Sequence, residues 1–321
     1  MARALLWWRS IVGDRAGFLF FSALVFCLAV ADAGKSVAQP IQAQPQGKPS
    51  DYQTTWEKCS QCHEETVKHF AQDIHGRTAR FLSGTRATNC EACHGDPAKH
   101  LETGEAKDII NPPKLTAAAI NETCLSCHAR EQRRMLWHGS QHDSSKISCL
   151  TCHSAHHPKT SEKLLVKQTE EELCLSCHTE KRKVFYQRST HLFRSEHWNV
   201  KVGCTSCHNP HGGEAGRMLV ARSVNDLCYS CHAEKRGPFL WEHAPVRENC
   251  LNCHSPHGTS NAKLLTARVH LICQQCHIHM LPRHQTVAGK PLDIWYINRG
   301  CANCHPQIHG SNHPSGRTFT R

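Results

Sequence analysis

The sequence predicts a fold with little regular secondary structure, in which short helices and loops wrap an elongated chain of ten bound groups that stand in for a core. Three observations predict it. Cys-x-x-Cys-His occurs ten times and takes up 20 of the 21 cysteines. The apolar 39% of the chain includes those cysteines, and the rest falls in short scattered runs, so the chain has too few side chains of its own to bury. The ten motifs also sort into five pairs, the mark of an internal repeat.

The N-terminus has a basic start, MARALLWWRSIVGDR, then an apolar run, AGFLFFSALVFCLAVADAG, ending in small residues. This is the pattern of a secretory signal peptide over residues 1–33. Cleavage after Ala33 (A-D-A) or after Ala38 (S-V-A) satisfies the small-residue rule; an uncleaved anchor, which needs roughly twenty apolar residues, is the rival reading. Cys27, the one cysteine outside the motifs, lies in this run, in a context (LVFC) without the small residues of a lipoprotein site. Residues 34–58, rich in Pro, Gln, Gly and Ser, read as a flexible leader. Residues 59–321 then form the motif-bearing domain of five two-motif repeats. Nothing after residue 40 approaches membrane-spanning length, so the mature chain is expected to be soluble by itself or enclosed by another protein.

Cys-x-x-Cys permits zinc sites, disulfides or redox pairs, and covalent haem. The histidine after every copy separates them. Zinc ribbons and short disulfides require no such residue. In c-type haem, two thioether bonds fix the porphyrin edge while the adjacent imidazole binds iron from one side. The thioether positions are Cys59 and Cys62, Cys90 and Cys93, Cys124 and Cys127, Cys149 and Cys152, Cys174 and Cys177, Cys204 and Cys207, Cys228 and Cys231, Cys250 and Cys253, Cys273 and Cys276, and Cys301 and Cys304. The proximal ligands are His63, His94, His128, His153, His178, His208, His232, His254, His277 and His305. Residues i, i+3 and i+4 share a helix face, so two sulfurs and one imidazole point the same way. TEEELCLSCHTEKR shows the local context: Thr169 and Glu172 have capping-box spacing, and Lys181 and Arg182 are placed near the helix end. SVNDLCYSCHAEKR repeats it from Ser223. The basic clusters read first as solvated helix ends and second as counterions for haem propionates.

Seventeen of the 27 histidines remain for the far side of the irons, against four methionines including Met1, which predicts bis-histidine coordination and low potentials. The motif pairs start at Cys59/Cys90, Cys124/Cys149, Cys174/Cys204, Cys228/Cys250 and Cys273/Cys301. In the middle pairs His142, His197 and His243 lie seven residues before the second motif, and His156, His211 and His257 follow its histidine by three. The outer pairs offer His75 and His100, and His284 and His309, at looser spacing. Two extra histidines per pair would supply that pair's two irons. His69, His138, His157, His191, His270, His279 and His313 are left over, of which His191 is reconsidered below.

The formal net charge of +11 does not mark a nucleic-acid binder. The signal removes about +1 and each ferric haem adds about −1, leaving the oxidised protein near neutral.

The segments CYSCHAEKRGPFLWEHAPVRENCLNCHSPHG (228–258), CTSCHNPHG (204–212), CQQCH (273–277) and IHGSNHPSG (308–316) resemble the decahaem c-type cytochromes of the MtrA/DmsE family, which includes the PioA and MtoA types. The resemblance runs from the first motif to the end of the chain. It implies a periplasmic cytochrome set in an outer-membrane β-barrel of the MtrB/PioB type, carrying electrons across the membrane with N-terminal haems toward the periplasm. Periplasmic electron carriers on one side, and an extracellular multihaem cytochrome or reductase on the other, are the further partners it implies. It also selects His191, in QRSTHLFRSE, as a distal ligand where the internal repeat selects His197. The expected function is electron conduction without substrate chemistry, because no iron lacks a candidate sixth ligand and no Cys-x-x-Cys-Lys motif is present. A periplasmic electron shuttle without a barrel and a multihaem reductase are the alternatives; direction of flow stays open.

Overall fold

The computed structural model describes residues 52–79, 89–191, 202–278, 286–287, 290–291 and 300–320. The expected signal peptide, Cys27, His197, His279 and His284 lie outside them. Chain contacts divide the molecule after Gly47, and every described residue belongs to the second unit, Lys48–Arg321.

The described chain is short helices and turns. Helix α1 (Tyr52–Gln72) is the longest and breaks at His63 (φ −117°, ψ 42°), the last residue of the first motif; α2 (Ile74–Ala79) follows it. The last seven residues of the expected leader are therefore helical. Trp56 anchors them, its ring edge-on to Phe70 at 5.5 Å. Beyond lie α3 (Glu91–His94), α4 (Ala98–Thr103), α5 (Ala117–His128), α6 (Gln141–Ser144), α7 (Cys149–Cys152), α8 (Glu170–Leu175), α9 (Thr179–Phe185), α10 (Val224–Tyr229), α11 (Ala244–Glu248) and α12 (Val269–His277). The pairing of β1 (Thr286–Val287) with β2 (Lys290–Pro291) is antiparallel.

Side-chain caps start several of these helices. Thr116 Oγ1 accepts from Ala119 N at 3.3 Å, Thr169 Oγ1 from Glu172 N at 3.1 Å and Ser223 Oγ from Asp226 N at 3.0 Å, each satisfying an amide that the helix itself leaves open. One expectation needs correction. Lys181 and Arg182 do not end the helix that enters their motif, because α8 stops at Leu175 and a second helix, α9, starts after His178 and carries both.

A repeated device joins the two motifs of the middle pairs. Asn121, on α5, accepts from Cys149 N at 2.9 Å and donates to Ile147 O at 3.1 Å. Asn225, on α10, accepts from Cys250 N at 2.8 Å and donates to Val246 O and Arg247 O. Glu170 plays this part on α8, accepting from Thr205 N at 2.6 Å and Thr205 Oγ1 at 2.8 Å. The helix before a first motif thus caps the turn that opens the second.

After the second motif the chain loops out and returns as an antiparallel bridge, His153 to Leu165, His208 to Leu219 and His254 to Leu265. Ser154 N donates to Leu164 O at 2.8 Å, Asn209 N to Met218 O at 2.7 Å and Ser255 N to Leu264 O at 2.7 Å. Side chains do little of the filling. The buried apolar residues are Ile120, Leu125, Trp137, Leu164, Leu165, Leu175 and Phe185, and only Leu175 and Phe185, with Val202 against them, form a cluster among the described residues.

Candidate haem-binding sites

Each motif folds as one tight turn whether or not a helix runs through it. The histidine amide donates to the first cysteine's carbonyl at 2.9 Å for His94, His153, His208 and His305, at 3.0 Å for His178 and His254, and at 2.8 Å for His232. This four-residue closure puts the sulfurs and the imidazole on one side.

The sulfurs form an ordered series. First cysteines neighbour one another within each pair, where the partner raises the thiol: Cys59 raises Cys90, Cys149 raises Cys124, Cys204 raises Cys174, Cys250 raises Cys228 and Cys301 raises Cys273. Second cysteines neighbour one another between pairs, where burial and then Cys127 raise the Cys93 thiol, as Cys177 does for Cys152, Cys231 for Cys207 and Cys276 for Cys253. Neighbours through first and second cysteines alternate from Cys59 to Cys301. Burial, then the partner thiol, pushes Cys90 and Cys228 up to about 12; thioether formation removes that ionisation altogether.

The histidines face one another across gaps of one size. Ring centres are 6.3 Å apart for His63 and His100, 5.9 Å for His94 and His156, 6.0 Å for His128 and His75, 6.1 Å for His153 and His211, and 6.3 Å for His178 and His142. They are 6.0 Å apart for His208 and His257, and 6.2 Å for His232 and His191, for His277 and His243, and for His254 and His309. Two imidazoles on one metal ion, each bonded at about 2 Å with its ring centre about 1 Å behind the nitrogen, stand about 6 Å apart. Direct ring stacking would bring them closer.

Hydrogen bonds at Nδ1 fix which nitrogen faces the gap. His94, His153, His208 and His254 bond Ile110 O (2.9 Å), Lys163 O (2.7 Å), Arg217 O (2.9 Å) and Lys263 O (3.0 Å), and His305 bonds Thr318 O. A carbonyl only accepts, so Nδ1 carries the proton and Nε2 keeps its lone pair for a metal. His100, His142, His191 and His243 do the same toward Glu105 O, Pro210 O, Pro256 O and Ile308 O, at 2.8 to 3.3 Å. Burial lowers His75, His128, His153, His156, His243, His254 and His257. His211 and His309 fall to about 4, through burial and then through neighbouring His153 and Lys235 respectively. These imidazoles are neutral, the form that ligates iron. A cavity of about 470 Å³ opens between His142 and His178, lined also by Gln141 and Met218. The residues fit covalent haem.

The comparisons with known proteins agree. The doubled CXXCH motif family matches residues 197–237 and 243–280, and the NrfB-like c-type cytochrome family matches residues 90–177. The multihaem cytochrome MtrA of Shewanella baltica is 40% identical over 276 residues, 83% of this chain and 81% of that protein. The chain belongs to the MtrA family of multihaem cytochromes. The c-type protein NrfB of Escherichia coli is 29% identical over 44% of this chain and 79% of its own. An undecahaem cytochrome from the S-layer of Carboxydothermus ferrireducens matches 73% of this chain and 33% of its own, at 19% identity and a TM-score of 0.15.

This MtrA-family chain is thus a c-type multihaem protein that transfers electrons and carries covalently bound haem. The doubled-motif matches join Cys204 to Cys228 and Cys250 to Cys273, one motif out of phase with the pairs read from the sequence. Cys207 neighbours Cys231 and Cys253 neighbours Cys276 across both junctions, so the difference is only where the repeat is cut. Of the ten distal candidates, nine face a proximal histidine: His75, His100, His142, His156, His191, His211, His243, His257 and His309. His284 lies outside the described residues, as does His197, the alternative to His191. His69 and His157 meet each other edge-on at 5.0 Å, and His138 sits 3.7 Å from Glu122.

One expectation changes: apart from His100, no facing histidine serves its own pair. His75, His142, His191 and His243, ahead of second motifs, reach forward to the first motif of the next pair. His156, His211, His257 and His309, behind second motifs, reach back to the second motif of the preceding pair. Backbone contact explains the crossing. The carbonyls that His142, His191 and His243 bond belong to the residues just before His211, His257 and His309, so forward and backward arms are tied together. Glycine lets them approach. Gly212 and Gly258, next to His211 and His257, have φ of +119° and +139°, and a Cβ there would sit 2.1 Å from Leu136 O and 2.0 Å from Val184 O. Sequence reasoning did not single out the carbonyls that hold the proximal imidazoles. Their signal was present as KLLV, RMLV, KLLT and TFTR, at 163–166, 217–220, 263–266 and 318–321.

Proposed function

We propose that this chain conducts electrons across the outer membrane, seated in a β-barrel partner of the MtrB/PioB type and exported to the periplasm by its N-terminal segment. Bound haem supplies an iron that is reversibly reduced by one electron. The protein's own residues set the order of the irons, through the alternation of neighbouring cysteines from Cys59 to Cys301. Facing histidines at nine motifs supply both axial ligands, which leaves no position for a substrate there and favours a carrier over a reductase. The observation that carries this reading is the recurrence of one 6 Å histidine gap at nine motifs in a series without a break. Membership in the MtrA family supports the barrel partner. Among the described residues no helix is long and apolar enough to cross a membrane, and enclosure by a barrel is the route across that we propose. Periplasmic carriers would meet the N-terminal haems, and an extracellular multihaem cytochrome or reductase the C-terminal ones.

The test is purification from detergent-solubilised outer membranes. The reading expects a stable complex with a large β-barrel and a mature mass raised by ten haems. Ten haems in a protein that leaves the periplasm unaccompanied would instead identify a shuttle. One high-spin, ligand-accessible haem would revive a reductase.

A further inference from the structure

We propose that Glu131 holds the haem of Cys124 and Cys127 at a lower potential than the haems on either side, making the third site a low step in the series. His128 Nδ1 is 2.7 Å from Glu131 Oε1. Second-motif imidazoles bond neutral backbone carbonyls instead. In the first motifs that follow, Glu180 and Glu234 stand 3.8 Å and 3.7 Å from the Nδ1 of His178 and His232, beyond hydrogen-bonding reach. The cause is one residue of spacing: HARE places the glutamate three after the histidine, HTE and HAE place it two after. Three is the better distance here because Glu131 N closes a turn onto His128 O at 3.3 Å, which swings the carboxylate under the ring.

A carboxylate acceptor makes this bond charge-assisted and draws the Nδ1 proton away from the ring. The imidazole becomes a stronger donor at Nε2 and favours ferric over ferrous iron, a lever known to move haem potentials. Arg134 Nη2 pairs with the other carboxylate oxygen and tempers the effect. An electron leaving the second site for the fourth must therefore climb through the third.

The site can be followed by itself. His75 and His128 stand at 78°, the most nearly perpendicular of the nine described facing pairs, whereas two stand at 43° and 52° and six lie between 13° and 24°. Perpendicular imidazoles give a low-spin ferric EPR signal of large anisotropy, resolved from the near-parallel type. The proposal rests on haem filling this site, which the haem count by mass and the presence of that signal test separately from its potential.

The experiment is a redox titration of the ten-haem protein followed by EPR. The wild-type signal of large anisotropy is expected to disappear on reduction after the near-parallel components of the second and fourth sites. In Glu131→Gln it should disappear earlier, with the near-infrared charge-transfer band shifted and the other components unmoved. In Arg134→Gln the same component should move to lower potential, since the carboxylate is freed to pull harder on the proton. An unchanged or lowered midpoint in Glu131→Gln overturns the proposal. If that variant loses haem, Arg134→Gln decides alone, and a midpoint that stays or rises there overturns it equally.

Discussion

His153, His208 and His254 each rest on a backbone carbonyl brought back to them by an antiparallel bridge. His128, His178 and His232 end turns of helix and have a glutamate carboxylate near Nδ1 instead. The two groups belong to the same five-residue motif, so the pattern that attaches haem leaves the surroundings of the iron undecided. Second-motif sites are set by main chain returning from nine to sixteen residues away. At the first motif of the second pair that place is taken by one nearby side chain, Glu131, and a single substitution can retune it. What both share is dependence on another repeat for the sixth ligand, and the strongest way to break the comparison is to remove what the repeats fold around.

The chain expressed without haem attachment should be unfolded. The side chains it buries among the described residues are few, and none is completely enclosed, far short of what offsets backbone ordering at about 1–2 kcal/mol per residue. Far-UV circular dichroism of the haem-free protein should show a disordered chain, digested by protease in conditions where the haem-loaded form survives. A folded haem-free protein would mean that both kinds of site stand by themselves.

Next in size is the loss of one distal ligand. His211→Ala should open one iron to a high-spin state, and that iron should belong to Cys149 and Cys152 rather than to the neighbouring Cys204 motif. Double variants separate the two cases by non-additivity. Removing His153 as well as His211 should perturb one haem in the optical spectrum, whereas removing His208 as well as His211 should perturb two. The reverse result would return each distal ligand to its own pair.

The crossing shows which parts of the site were legible in sequence. Cysteines, proximal histidines and the set of distal candidates could be read because covalent chemistry demands residue types at fixed spacing. The choice between His191 and His197 could not be read from spacing, because 13 residues separate His191 from Cys204 where seven separate His142 from Cys149, and a loop can take up that slack. Only the folded chain puts His191 opposite His232. Partner assignment was likewise hidden, since a forward or a backward arm uses the same histidine. The short-helix class followed from the scarcity of apolar blocks, whereas the helical end of the leader depended on one aromatic contact, Trp56 on Phe70.

A smaller effect comes from the caps that link the two kinds of motif. Asn121 is nearly sealed, at 3% exposure, and holds both Cys149 N and Ile147 O. Asn121→Ala should cost about 1–3 kcal/mol, because it leaves buried backbone groups unmatched. Asn225→Ala, at a half-buried position, should cost about 1 kcal/mol. Hydrogen exchange at the amides of Cys149 and Cys250 reads both. Equal losses would show that burial does not grade these caps.

Glu170 sharpens the comparison furthest, because it does with a charge what Asn121 and Asn225 do with an amide. Burial pushes its carboxyl up, but the Thr205 amide and hydroxyl and then the Lys163 ammonium at 3.3 Å outweigh that and hold it below its ordinary value. A carboxyl depressed in the folded state adds stability that is complete above its unfolded value, about 4.3, and is lost as pH falls through the lower folded value. The protection factor of the Thr205 amide should therefore drop below about pH 4, while those of the Cys149 and Cys250 amides, held by side chains that do not titrate, stay level. Glu170→Gln should flatten the Thr205 profile to match them. A Thr205 amide that keeps its protection in acid would mean that the charge on Glu170 is immaterial, and that the three caps are one device regardless of the side chain that makes them.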